Sequence, residues 1–100
     1  MPEVEGVKEL KRAALEIKRW LETRGHGVIF RVTHSPRDVA IEWSRDGHWK
    51  AIVTLSFQGL PDIHYSMGQD LPPNFDVAAF ERLLSMFAEA SGRKLRKWQR

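Results

Sequence analysis

The feature that most restricts this chain is a change in the period of its apolar residues. Val7, Leu10, Ala14, Ile17 and Leu21 recur at steps of three and four, which places them on one stripe of an amphipathic helix. Arg24-Gly25 supplies the stop, because glycine takes the left-handed position after a last helical turn without a Cβ clash, and His26-Gly27 reinforces it. From Val28 the step shortens to two. Val28, Phe30 and Val32 alternate with Ile29, Arg31 and Thr33, and Val39, Ile41 and Trp43 alternate with Ala40, Glu42 and Ser44. A third alternating run follows, Trp49, Ala51, Val53, Leu55 and Phe57 against Lys50, Ile52, Thr54 and Ser56. Ile63, Tyr65 and Met67 opposite His64 and Ser66 give a shorter fourth.

The breaks between these runs carry turn chemistry. Ser35-Pro36-Arg37 separates the first pair, and Asp46-Gly47 the second, where both residues tolerate the positive φ of a hairpin turn. Gln58-Gly59-Leu60-Pro61-Asp62 turns the chain again, and Gly68 to Asn74, with Pro72-Pro73, is a short connector. The period then returns to that of a helix. Asp76 is a good N-cap, Phe75 and Phe80 fit a hydrophobic staple around it, and Val77, Phe80, Leu84 and Phe87 face inward up to a stop at Ser91-Gly92.

These runs predict helices over 4–24 and 76–91 and strands within 28–67. The expected fold class is α+β: a two-layer sandwich of order α-β-β-β-β-α, an antiparallel meander sheet with both helices on one face. The 100 residues suffice for one domain, read here as 1–91 with a basic C-terminal tail over 92–100. Leu95 and Trp98 either dock a further helical turn on the core or leave Trp98 exposed in that tail. Trp43 and Trp49 both fall on the inward side and would pin the Asp46-Gly47 hairpin as a cross-strand pair. The outward side carries Arg31, Thr33, Glu42, Ser44, His48, Lys50, Thr54, Ser56, His64 and Ser66, with Ile29 and Ile52 as apolar exceptions.

Charge is unevenly distributed along the chain. Residues 1–50 hold ten Lys or Arg against eight Asp or Glu, residues 51–91 hold one against five, and residues 92–100 hold five against none. Lys8, Lys11, Arg12, Lys18 and Arg19 fall away from the buried stripe of the first helix, but Glu9, Glu16 and Glu22 lie among them, which reads as a mixed solvated face. A basic tail is an electrostatic handle for an anionic partner.

Little in the sequence points to a reaction. There is no cysteine, so thiolate chemistry and disulfides are excluded. His26, His34, His48 and His64 lack the spacing of metal ligands, and no metal or other cofactor is expected. Ser35 beside His34, and Ser66 two residues after His64, are the nearest approach to a nucleophile with a base, and neither sits in a nucleophile elbow or a phosphate loop. No apolar run reaches the roughly 20 residues of a membrane span, and the acidic Met-Pro-Glu-Val-Glu opening is unlike a secretion signal, so a cytoplasmic protein with no membrane partner is expected.

The reading that follows is a small non-enzymatic nucleic-acid-binding protein. Arg93, Lys94, Arg96 and Lys97 would contact phosphates, Trp98 would stack on a base, and Arg31 and Lys50 would assist from the open sheet face. The alternative is a protein-interaction module, a homodimer or an inhibitor or adaptor of a larger enzyme, that uses Ile29 and Ile52 on the sheet face or an edge strand.

Overall fold

A computed structural model describes residues 5–57 and 62–98 of the chain. The elements run α1 (Glu5–Glu22), β1 (Ile29–His34), β2 (Asp38–Ser44), β3 (Lys50–Phe57), β4 (Ile63–Met67), α2 (Val77–Ala90) and β5 (Leu95–Lys97). Position 4, the turn at 58–61 and Arg100 lie outside the described residues. Both helices and the four expected strands stand in the expected order, which makes the fold α+β. Val7, Leu10, Ala14, Ile17 and Leu21 are all buried, as their spacing requires. Asp76 caps α2 by accepting a 3.0 Å hydrogen bond from the Ala79 amide, and Phe75 packs on Phe80 with ring centroids 5.2 Å apart. The side chains of both helices join the inward residues of the sheet in one core cluster.

The sheet is mixed rather than purely antiparallel. Strands β1 to β4 form the expected meander, but β5 adds a fifth strand parallel to β4, in the order β1-β2-β3-β4-β5. A parallel neighbour needs a crossover, and α2 supplies it. Three of the residues read as tail are therefore paired in the sheet, with the Ile63 amide donating to Lys94 O at 2.8 Å and the Trp98 amide donating to Tyr65 O at 2.6 Å. Three residues are too few for alternation to register as a strand.

A second departure changes which side chains face which way. Ile41 pairs with Val53, but Glu42 pairs with Ala51, so Ile52 is the extra residue of a β-bulge. A bulge shifts the phase of every residue before it. Ile52, expected outside, is fully buried at 0% exposure. Trp49, expected inside, lies under the Arg31 guanidinium, 4.1 Å from the ring centre, on the side of the Arg31–Glu42 pair. Lys50, expected outside, turns to the inward side, where its ammonium sits 4.7 Å from the centre of the Trp43 ring and 3.8 Å from Asp70. Of the two tryptophans at this hairpin, Trp43 keeps its expected side, buried, with its indole N–H donating to Asp70 O at 2.8 Å. The expected Trp43–Trp49 pair does not form, because the two rings occupy opposite faces.

Gly68 accommodates the bulge. Its amide donates to Ile52 O at 2.8 Å, and a Cβ built on it would fall 1.8 Å from Ala51 O, so no other residue fits without moving the backbone.

Candidate nucleic-acid interface

The outward side of the sheet is built from alternate residues of five strands. Register brings Arg31 opposite Glu42 and Glu42 opposite Ala51, then Thr54 opposite Ser66, and His64 opposite Arg96. The floor in the middle is made of small residues, which leaves a shallow hollow of about 510 Å³ bordered by Ala51, Thr54, Ser66, Gly68, Gln69 and Trp98. Trp98 is 48% exposed and meets His64 edge-on at 5.8 Å. Trp49 stands on the other side of Ala51, held under Arg31. Trp98 follows β5 level with Ser66 and Thr54, and Trp49 precedes β3 beyond Ala51, so the two indoles are offset along the strands as well as across two strand intervals.

The basic C-terminal segment is electrostatically occupied. Arg93 pairs with Glu9 of α1 at 3.1 Å, Arg96 pairs with Asp62, and Lys97 pairs with Glu81 at 3.3 Å. The Arg96 guanidinium holds the Asp62 carboxyl below its ordinary range. Glu81 is likewise held low, first by the hydroxyl of Tyr65, which donates to it at 2.5 Å, and then by Lys97. Burial and the same carboxylate push the Tyr65 hydroxyl up to about 12. Lys94 is exposed and makes no ion pair among the described residues.

Of the seven side chains nominated for nucleic acid, Arg31, Arg96 and Trp98 share the outward sheet face. Lys97 and Lys50 point to the helix side, each toward a carboxylate, and Arg93 reaches α1. Of the two nominated for a protein partner, Ile29 is 62% exposed on the free edge strand β1, and Ile52 is core.

Sequence reasoning missed Trp49, Gln69 and the floor beneath them. One signal was available: Ile52 beside Val53 breaks the alternation of the third strand, and an out-of-phase apolar residue marks either an exposed exception or a bulge.

Ser35 accepts from the Asp38 amide at 3.2 Å as part of its turn. His64 and Ser66 share a face, but among the described residues the Nδ1 of His64 is buried without a hydrogen-bond partner. Among the described residues no group of three His, Asp or Glu side chains is arranged to hold a metal ion, and no helix is long and apolar enough to cross a membrane.

No protein-family model, curated protein or solved structure matches the chain.

Proposed function

We propose that this is a non-enzymatic nucleic-acid-binding protein whose outward sheet face takes single strands by stacking bases on Trp98 and Trp49. The observation that supports it is the placement of two tryptophans, distant in sequence, on one open face on either side of a small-residue floor. Every base has an aromatic face, so two such rings bind without reading sequence, and the Thr54, Ser66 and Gln69 side chains at the rim supply hydrogen-bonding groups for exposed base edges. The proposal takes the architecture as a two-layer sandwich with both helices on the inward side, acting in the cytoplasm. Arg31 and Arg96 lie on the face and give it a modest attraction for phosphate, because Glu42 and Asp62 already pair with them.

Fluorescence anisotropy with 20-nucleotide DNA and RNA single strands tests this. Trp98→Ala and Trp49→Ala should each weaken binding by about 1 to 3 kcal/mol while thermal melting stays close to wild type. No binding at about 100 μM protein, beyond ordinary non-specific affinity, contradicts the proposal.

A second reading, a protein-interaction module, is favoured by Ile29 on the unpaired edge of β1. A free edge offers backbone hydrogen bonds to an added strand. Sedimentation of Ile29→Lys against wild type checks the homodimer version: wild type associates and the variant does not.

A further inference from the structure

Helix α1 carries five cations, and their placement differs from what their order along the chain suggests. At about 100° per residue, Lys18, Lys11, Lys8, Arg19 and Arg12 fall in that order within an arc of about 120°, with Leu15 in its middle. Glu9 and Glu16 fall together on the adjoining arc. Glu9 and Glu16, with Arg12 between them, border the cleft toward α2, where Glu9 meets Arg93. Glu22 alone lies inside the cationic arc, bound to Lys18 at 3.3 Å. The face is therefore segregated rather than mixed. Lys8, Arg12 and Arg19 are exposed and have no ion pair among the described residues. Lys8, Lys11 and Arg12 surround Leu15, which is 50% exposed, in a second shallow hollow.

We infer that this stripe of α1 is a binding site for the phosphate backbone of duplex DNA, separate from the outward sheet face. From Lys8 to Arg19 the stripe is about 16 Å long at the helical rise, enough to bridge a B-form major groove roughly 12 Å wide and reach phosphates on both rims. It has no aromatic ring to stack on a base, so it suits a partner whose bases are already paired and whose charge lies outside. Leu15 meets the sugar edge, the apolar part of that backbone. Contacts of this kind fix position without reading sequence and release counterions in proportion to the phosphates neutralised. The inference rests on the nucleic-acid reading for the class of ligand, but not on the site proposed above.

The test is anisotropy of a fluorescent 20-base-pair DNA duplex between 50 and 200 mM salt, using wild type, Lys8→Glu/Arg12→Glu/Arg19→Glu and the milder Lys8→Gln/Arg12→Gln/Arg19→Gln. Thermal melting verifies that both variants fold. Wild type should bind the duplex, and the glutamine variant should lose about 2.7 from the slope of log affinity against log salt, which corresponds to roughly fortyfold less salt sensitivity across that range. The glutamate variant should show no measurable duplex binding and unchanged single-strand binding. Equal duplex affinity in all three proteins overturns the inference. So does wild-type binding to single strands but not to the duplex, which leaves the sheet-face proposal standing, whereas duplex binding lost only in the α1 variants, with no single-strand binding in any protein, removes the sheet face and keeps α1. Tighter binding to a duplex RNA of the same length than to DNA also overturns it, since the A-form major groove is too narrow to be bridged in this way.

Discussion

The C-terminal segment and the outer face of α1 each contribute five positive charges, and the fold treats them oppositely. In the C-terminal segment the cations are close together in sequence, and three of them are separately paired in space: Arg93 with Glu9, Arg96 with Asp62 and Lys97 with Glu81. In α1 the cations are interspersed with acids in sequence and gathered on one arc in space. A single ion pair contributes to both outcomes, since Arg93–Glu9 removes a cation from the first region and an acid from the second. Net charge along a chain is therefore a poor guide to potential at a surface. Exposed pairs of this kind add little stability. Their importance lies in the field they cancel.

The bulge sharpens the contrast by turning Lys50 off the outward face, so the largest effect is expected from dismantling it. Gly68→Ala places a methyl where Ala51 O stands, and should destabilise the fold by about 3 kcal/mol, read by chemical denaturation. A melting point equal to wild type would mean that the backbone there adjusts freely.

A smaller loss should follow Tyr65→Phe, which removes the hydroxyl holding Glu81 in place beside Lys97. The expected cost is about 1 kcal/mol. The pH profile gives an independent reading of the same residues. The Tyr65 hydroxyl is raised to about 12, so its contribution to stability is complete below the ordinary tyrosine value and is lost as pH rises from about 10 toward 12. Tyr65→Phe should abolish that alkaline loss. Asp62 and Glu81 are held low, so their contributions are present above ordinary carboxylate values and are lost as pH falls through the depressed ones. Acid should therefore release Arg96 and Lys97 for nucleic acid while leaving Lys8, Arg12 and Arg19, which have no ion pair among the described residues, as they are. An identical acid response from tail and α1 variants would erase the distinction between the two regions. The smallest effect is expected from Glu9→Gln, which removes one carboxylate charge beside the cationic arc of α1 and should raise duplex affinity a few-fold.

Much of the fold was legible because it is written in local periodicity. The five-residue stripe of α1, the Asp76 cap and the Asp46-Gly47 turn, where Gly47 has φ of +92°, each follow from residues close together in sequence. What was not legible depends on partners far along the chain. The bulge at Ile52 is closed by Gly68, and β5 exists because α2 returns the chain beside β4, so neither has a signature within its own few residues. The same holds for the site. Trp98 was singled out from its basic flanks, but Trp49 joined it only once the phase shift was known. The tail cations were counted correctly, and their acid partners lie 34 residues away for Arg96, 16 for Lys97 and 84 for Arg93, beyond any window that reads local pattern.

The central claim, that polyanion attraction resides in α1 rather than in the C-terminal segment, is tested most directly by the salt dependence of duplex DNA binding in two alanine variants. Lys8→Ala/Arg12→Ala/Arg19→Ala removes three cations that have no ion pair among the described residues and should lower the slope of log affinity against log salt by about 2.7. Arg93→Ala/Lys94→Ala/Arg96→Ala/Lys97→Ala removes four, of which only Lys94 makes no ion pair among the described residues, and should lower it by about 0.9. A loss near three in the C-terminal variant, with the α1 variant indistinguishable from wild type, would contradict the account.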